Sequence, residues 1–323
     1  MASSHAQIVF GGGLFGAAPE WSTAEQVEEF LQVLERNNVK TIDTAQVYGT
    51  SEELLGQTNA PKRFVIDTKF GAGFIPGGST KEQVIKAGDE SLQKLRTDSV
   101  DVYYLHAPDR QTPFEETLAG INELHKAGKF KHFGLSNFRP DEVQDVVRIA
   151  KEKGYVLPSV YQGNYNAISR RIETELLPVL RENNIRFYAY SPIAGGFLTK
   201  TKEQLLAGGE GRWDPSTFFG QLYHKLYNNP TLLEALDDWG EIAAAEGVTK
   251  AELAYRWIFF HSHLREHLGD AVVVGASKIS QFEETVAAIQ RGPLSAEAVK
   301  RIDAVWEKTK DVAPLDNFNS FNA

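Results

Sequence analysis

Short apolar runs alternate with amphipathic stretches of helical length along most of the chain. The runs are rich in β-branched and aromatic side chains, which is typical of buried parallel strands. We expect strands at residues 8–10, 41–43, 64–68, 100–105, 132–135, 159–162, 186–189 and 272–274. The alternation predicts an α/β protein, and this number of strands is enough to close a (β/α)8 TIM barrel.

The amphipathic stretches supply the helices between these strands. Several of them begin at Ser, Thr, Asp or an N1 proline, the residues that favour helix starts. We expect helices at residues 23–38, 81–95, 113–127, 140–153, 173–183 and 280–290, and a shorter one at 51–57. Each predicted strand is thus followed by a segment able to cross back over the sheet.

A long insertion and a C-terminal extension complete the pattern. Residues 197–230 are rich in glycine, aromatic and charged residues and predict a long loop, which in a compact domain usually has a function. Helical segments follow near residues 232–246 and 250–260, and residues 295–323 predict a C-terminal helix and tail. No stretch has the composition of a linker, so we expect residues 1–323 to form a single domain.

The composition favours a protein that acts on small molecules. The 323 residues are 42% hydrophobic and carry a net charge of -9, which argues against a nucleic-acid partner. The absence of cysteine excludes disulfides, thiolate metal sites and thiol nucleophiles, and we expect no metal site. No signal peptide or membrane span is evident, so we expect a cytoplasmic protein without a membrane partner. A homo-oligomer is compatible with the sequence.

A doubly wound open sheet is the competing architecture. It normally carries the pattern G-x-G-x-x-G after its first strand, for binding a dinucleotide. Gly11, Gly12 and Gly13 follow the first predicted strand, but the third glycine of that pattern is missing. We therefore interpret them as a turn at the rim of a barrel, in which the C-terminal strand ends converge on the working site.

Four side chains with acid–base chemistry lie at these strand ends. Asp43 and Tyr48 occur in TIDTAQVYG, Lys69 in FVIDTKFG and His106 in VDVYYLHAPD. A phenol is too weak an acid at neutral pH unless a neighbouring ammonium lowers its pKa, which Lys69 would do for Tyr48. Asp43 would keep Lys69 charged and oriented, and His106 would position a substrate carbonyl. Taken singly, each residue also fits a turn, surface or packing role.

The joint pattern resembles the aldo-keto reductase family. D-x-x-x-x-Y-G-x-S-E is followed by the strand-end lysine and by L-H-A-P-D, and the resemblance runs from FGGGLFG to the GASK segment near the end of the chain. That family places an Asp, a Tyr, a Lys and a His on consecutive strands in this order. The resemblance implies NADPH-dependent reduction of a small carbonyl substrate, with Tyr48 protonating its oxygen.

The resemblance also implies the residues that hold the cofactor. A carboxamide needs both donors and acceptors, and small residues let backbone N–H groups approach a phosphate. The nicotinamide would meet Ser136, Asn137 and Gln162, with the ring of Tyr190 stacked on it. The pyrophosphate would lie on the loop containing Ser191, Ile193, Gly195 and Leu198, and the adenosine on Gly275, Ser277, Lys278, Gln281 and Glu284. Lys278 would favour NADPH by meeting its 2′-phosphate, whereas Thr285 stands where the family commonly has asparagine.

Within the family, the chain most resembles the aflatoxin-aldehyde reductase branch. The features are the segment YSPIAGGFLT and the loop containing GRW. Short carbonyl compounds such as succinic semialdehyde are substrates in that branch, which makes Arg212 and Trp213 candidate substrate contacts. Arg212 equally fits a solvated loop charge, and the end DNFNSFNA lacks the C-terminal arginine of the branch, so a preference for acidic substrates stays open.

Two alternatives from other classes remain. Potassium-channel β subunits resemble aldo-keto reductases and keep the nicotinamide site, so the chain could be a nicotinamide-sensing subunit without catalytic function. The second alternative is a Schiff-base aldolase with Lys69 as its nucleophile. That reaction needs a desolvated lysine with a lowered pKa, in place of a lysine paired with Asp43.

Overall fold

Eight parallel strands close into a barrel in the computed structural model of the chain, which describes residues 6–207 and 213–322. Each strand pairs with the next one along the chain, and the last pairs with the first. The strands are β1 (Gln7–Gly11), β2 (Thr41–Asp43), β3 (Val65–Phe70), β4 (Val100–Leu105), β5 (Phe130–Ser136), β6 (Pro158–Asn164), β7 (Arg186–Tyr190) and β8 (Ala271–Val274). The predicted (β/α)8 barrel is therefore confirmed.

Helices surround the barrel and fill the connections between its strands. Several begin as the sequence predicts: Thr23 and Thr80 each form a capping box with the glutamine three residues later. The helices are α1 (Ala24–Arg36), α2 (Ser51–Gln57), α3 (Lys81–Leu95), α4 (Phe114–Lys126), α5 (Pro140–Lys153), α6 (Ile172–Glu175), α7 (Leu177–Glu182), α8 (Lys202–Ala207), α9 (Phe218–Tyr227), α10 (Pro230–Glu246), α11 (Lys250–Phe260), α12 (Ile279–Gln290), α13 (Ala296–Thr309) and α14 (Asn319–Asn322). Within the described residues, no helix is both long and apolar enough to cross a membrane.

Two connections differ from the sequence-based expectation. The helix predicted over residues 173–183 is divided into α6 and α7, because Pro178 lies in the first turn of α7 and has no N–H to continue a preceding helix. The loop predicted over residues 197–230 contains α8 and α9. Thr217 caps α9 by accepting a hydrogen bond from Gly220 N, a helix start that the glycine and aromatic content of the segment obscured.

Side chains alternate between the two faces of the barrel wall. Outward-facing residues pack under the helices in one large core, to which Ile42, Ile66 and Tyr103 belong. A separate, smaller cluster fills the interior and consists of Val9, Val102, Tyr104, Val160, Tyr188, Ala271 and Val273. Tyr104 fits there because β5 has Gly134 beside it, where a Cβ would collide with the tyrosine ring. These side chains form an apolar and aromatic layer in the interior, below the C-terminal strand ends.

Candidate active site

Lys69 and Asp43 form a fully buried ion pair at the C-terminal end of the barrel interior. Lys69 Nζ donates to Asp43 Oδ2 at 2.6 Å and to Thr44 O at 2.8 Å. Gln162 Nε2 donates to the other carboxylate oxygen, Oδ1, at 2.8 Å. Burial is the largest single effect and by itself lowers the pKa of Lys69, but the neighbouring acidic groups, Asp43 first among them, together outweigh it, and the pKa is raised. Lys69 is therefore an ammonium at neutral pH, held in one place.

Tyr48 and His106 lie beside this pair. Lys69 Nζ is 4.9 Å from the centre of the Tyr48 ring, and the Tyr48 and His106 rings meet edge to face at 5.5 Å. Phe74 covers His106 from another side, with ring centres 4.8 Å apart. Burial, assisted by the charge of Lys69, holds the pKa of His106 well below its usual value. His106 is therefore a neutral imidazole that offers one N–H donor.

A second group of polar side chains follows around the rim from β5 to β7. Asn137 Nδ2 donates to His106 O at 2.8 Å and to Ser136 Oγ at 3.1 Å, while Tyr190 OH donates to Asn137 Oδ1 at 2.7 Å. Asn137 has a φ of 62°, a left-handed conformation that asparagine tolerates better than most residues. Its amide is thus fully used in holding the neighbouring groups in position.

These residues fit a carboxamide. The Ser136 hydroxyl accepts from Asn137 and keeps its hydrogen to donate. Gln162 uses its Nε2 on Asp43, and its Oε1 makes no hydrogen bond to any residue that the structure describes. A ligand carboxamide presents one acceptor oxygen and an N–H donor. The Ser136 hydroxyl can donate to that oxygen, and Gln162 Oε1 can accept from that N–H.

A glycine loop, residues 191–198, follows β7. The backbone is left-handed at Ala194, Gly195 and Gly196, and such a turn directs successive N–H groups into a concave surface that suits an anion. A side chain at Gly195 would collide with the ring of Tyr223, so glycine is required there. Of the residues expected to bind the cofactor, Ser191 and Ile193 are half-buried here and Leu198 is buried.

The segment after β8 is far more exposed. Lys278 is the N-cap residue of α12, and the positive end of that helix reinforces its charge toward an anion. Ser277 Oγ donates to Gln281 Oε1 at 2.7 Å, and Trp21 Nε1 donates to Ser277 O at 2.9 Å. Gly275 and Glu284 are exposed beside these residues. Thr285 Oγ1 donates to the backbone oxygen of Gln281, so this threonine is turned into its own helix.

The C-terminal tail reaches the same rim. Asn317 N donates to Tyr190 OH at 3.1 Å, and Asn319 Nδ2 donates to Asn137 O at 2.8 Å. The ring of Phe318 lies 5.2 Å from that of Phe74. The tail therefore touches the groups around His106, a role that the sequence reasoning missed because no local pattern joins segments so far apart along the chain.

Comparison with known proteins agrees with this geometry. Residues 7–307 match the model of the aldo/keto reductase family. The chain belongs to the aldo/keto reductase family. It is 45% identical over 317 residues to the oxidoreductase sirO of Leptosphaeria maculans, with 95% of both chains covered. It is also 39% identical over 312 residues to human aflatoxin B1 aldehyde reductase member 2, covering 91% of this chain and 84% of that protein.

Membership in the aldo/keto reductase family supports an oxidoreductase that reduces carbonyl compounds. Family members generally use a nicotinamide cofactor. The structure brings Asp43, Tyr48, Lys69 and His106 together at one end of the barrel, as expected from their positions after consecutive strands.

The two candidate substrate residues have different outcomes. Arg212 lies outside the described residues. Trp213 is buried, and its Nε1 donates to Gly195 O at 3.1 Å while its ring stacks on that of Tyr223. Trp213 therefore packs against the glycine loop, and its role as a substrate contact stays a prediction. An aromatic ring in a glycine-rich segment gives no indication of which neighbour it will cover.

Proposed function

We propose that the protein reduces aldehydes or ketones to alcohols with NADPH, and that Tyr48 is the general acid. The observation that carries this proposal is the buried Lys69–Asp43 pair next to Tyr48 and the neutral His106. Asp43, Tyr48, Lys69 and His106 are then the catalytic residues. Acid–base groups gathered in a region of strongly shifted pKa values are typical of active sites.

Each residue has a distinct part in the reaction. When bound, the nicotinamide supplies the hydride. Tyr48 donates its phenolic proton to the carbonyl oxygen, and the Lys69 ammonium stabilises the phenolate that remains. His106 is neutral and donates its N–H to the same oxygen, which orients the carbonyl without adding a second positive charge. Asp43 holds Lys69 in place and compensates its charge.

The cofactor contacts are assigned along the strand ends. Ser136 and Gln162 would orient the carboxamide, Asn137 would hold Ser136 and Tyr190, and the Tyr190 ring would stack on the nicotinamide. The glycine loop, through Ser191, Ile193, Gly195 and Leu198, would bind the pyrophosphate. Ser277 and Lys278 would bind the 2′-phosphate that distinguishes NADPH from NADH, while Gly275, Gln281 and Glu284 would contact the adenosine.

A substrate panel tests the proposal. The protein is mixed with NADPH and a series of aldehydes and ketones, and the loss of NADPH absorbance is followed. Turnover with at least one carbonyl class is expected. NADPH binding without turnover across the panel would instead support a nicotinamide-sensing subunit. The Schiff-base aldolase is disfavoured because the raised pKa of Lys69 keeps its amine protonated, whereas a nucleophilic amine must be neutral.

Arg212 is the proposed contact for acidic substrates, and this assignment rests on the resemblance to the aflatoxin-aldehyde reductase branch. A guanidinium donates two parallel hydrogen bonds to a carboxylate. We predict that Arg212→Met raises KM for succinic semialdehyde with little change in kcat, and leaves butanal unaffected. Comparison of kcat/KM for the two aldehydes is the measurement, and equal changes would return Arg212 to the role of a solvated charge.

A further inference from the structure

The barrel interior contains a carboxyl group that the proposed mechanism does not use. Asp67 is fully buried on β3, directly beside Asp43 in the register with β2 and two positions before Lys69 on its own strand. Alternate residues of a strand share a face, so Asp67 and Lys69 both point into the barrel. Asp67 Oδ1 accepts from Val102 N at 3.2 Å, whereas Oδ2 has no hydrogen-bond partner among the described residues.

Other polar atoms in the barrel interior also lack a hydrogen-bond partner among the described residues. Tyr104 OH and the Nε and Nη2 atoms of Arg186 are buried without a hydrogen bond to any described residue. Lys69 Nζ is 5.8 Å from the centre of the Tyr104 ring, and Arg186 Nη2 is 3.8 Å from Asp101 Oδ2. A buried polar group that has no hydrogen-bond partner in the protein usually forms its hydrogen bond with an ordered water molecule. Water is therefore expected beside Asp67, Tyr104 and Arg186.

These groups span the barrel from one end to the other. In the register, Tyr104 lies beside Lys69 and Asp67 lies beside Asp43, two residues further from the C-terminal end of β3 than Lys69. Arg186 begins β7 at the N-terminal end of the barrel. The side chains of Arg186 and Asp101 are 24% and 22% exposed, so this end of the path meets solvent. The opposite end is Tyr48, which substrate and cofactor would cover during the reaction.

We propose that the barrel interior is a proton path in which Asp67 and Tyr104, joined by water to Arg186 and Asp101, return a proton to Lys69 after each reduction. The inference rests on the proposed function, because it assumes that Tyr48 gives up a proton. Asp67 acts through Lys69 and touches neither substrate nor cofactor.

The steps balance without a further reactant. After Tyr48 has protonated the carbonyl oxygen, its phenolate takes a proton from Lys69 Nζ and leaves a neutral amine. The amine takes the carboxylic proton of Asp67 through water, and Lys69 is an ammonium again. The Asp67 carboxylate then takes a proton from solvent at the Arg186 end. One proton enters the path for each proton that leaves with the alcohol.

The surroundings of Asp67 favour the protonated form of its carboxyl. Burial raises the pKa of its carboxyl well above the usual value, and the charges of Asp43 and Asp101 raise it further. The hydrogen bond from Val102 N and the charge of Arg186 oppose this shift but do not cancel it. The titratable groups that interact with the carboxyl or lie beside it are Asp43, Lys69, Asp101, Tyr104, Arg186 and Tyr188. Of these groups, Lys69 is the one that loses a proton in the proposed reaction.

The test separates the first turnover from later ones. Asp67→Asn keeps the shape and the neutrality of the protonated side chain but has no carboxylic proton to donate. Because Tyr48 begins protonated, we expect the first turnover of NADPH oxidation to keep its wild-type rate constant within about twofold. Later turnovers are expected to slow by about tenfold or more, the lower range of an acid–base contribution. Equal slowing of both phases, or of neither, would overturn the proposal.

Adjacent tyrosines on β4 provide a second variant and its control. Tyr103 and Tyr104 are both buried with hydroxyls that lack a partner among the described residues, but Tyr103 faces the outer core and Tyr104 the interior. Tyr104→Phe should slow later turnovers selectively, and Tyr103→Phe should not. An effect of the same size in both variants would indicate a general loss of packing and would contradict a path through the interior.

An independent readout needs no turnover. The infrared difference between wild type and Asp67→Asn at neutral pH should contain the carbonyl stretch of a protonated carboxylic acid, shifted in heavy water. A carboxylate band in its place would overturn the proposal. Failure of the proposed function is distinguishable, because the wild-type protein would then oxidise no NADPH at all while the infrared result stays unaffected.

Discussion

The two ends of the proposed cofactor site are built in opposite ways. At the catalytic end, Lys69, Asp43 and Gln162 are buried, and their hydrogen bonds to one another are complete before any ligand arrives. At the other end, Lys278 and Glu284 are exposed and held by few contacts. The difference teaches that the fold itself fixes the geometry of the proposed catalytic end, whereas the proposed phosphate end would gain its order from the ligand.

This division follows from the cost of burying charge. Removing an ammonium and a carboxylate from water costs several kcal/mol per ion, which their attraction repays only with good geometry and further hydrogen bonds. Thr44 O and Gln162 Nε2 supply those bonds around Lys69 and Asp43. An exposed lysine such as Lys278 has no such cost, so it needs no fixed partner. Four substitutions measure the contrast.

The largest effect is expected at Tyr48. Tyr48→Phe keeps the ring but removes the transferable proton, so kcat should fall by about 10²–10⁴-fold. The dissociation constant for NADPH should stay nearly unchanged, because in the proposed mechanism the phenol takes part in catalysis and does not contact the phosphates. Steady-state kinetics and fluorescence titration measure the two quantities. Tyr155→Phe, far from the rim, is the control, and a Tyr48→Phe enzyme with more than about a third of wild-type kcat would show another proton source.

Lys69→Met should destabilise the fold as well as the reaction. It leaves the Asp43 carboxylate buried without its counter-ion, and breaking a buried pair in this way costs about 3–5 kcal/mol. Urea unfolding of the free protein measures the change. The double variant Asp43→Asn with Lys69→Met removes both charges and should recover part of the loss. If the single and double variants are equally stable, the Lys69–Asp43 ion pair is more hydrated than its burial implies.

Lys278→Ala should change ligand affinity without changing stability. In the proposed site the ammonium would meet a 2′-phosphate that only NADPH carries, and a charge-assisted contact of this kind contributes about 1.5–3 kcal/mol. The dissociation constant for NADPH should therefore rise by about 10–150-fold while that for NADH stays the same. Lys300→Ala, an exposed lysine on α13, is the control. Equal weakening of both dinucleotides would mean that Lys278 does not contact the 2′-phosphate.

The same contrast explains what the sequence could predict. The barrel and the grouping of Asp43, Lys69 and His106 follow from local patterns, because each residue ends an apolar run and parallel strand ends converge. Trp213 and Asn319 could not be placed, since their contacts with Gly195 and Asn137 join segments with no common pattern. Asp67 carried a signal that went unused: its two-residue spacing from Lys69 puts both side chains on the interior face.

The smallest effect is expected in the pH dependence of stability, and it concerns Asp67. Its pKa is raised in the folded protein, so the folded state keeps a proton that the unfolded chain loses above pH about 3.9. The contribution of this bound proton to the free energy of unfolding is fully present below that pH. It is lost as the pH rises through the folded pKa, by at most about 1.4 kcal/mol per pH unit. Asp67→Asn has no proton to lose, so its stability relative to wild type should increase with pH.

Urea unfolding at several pH values from 5 to 8 measures the difference, from which the contributions of His106 and other groups common to both proteins cancel. A difference that stays constant over this range would mean that Asp67 is ionised in the folded state, and the barrel interior would then hold a charge at its centre as well as at its rim.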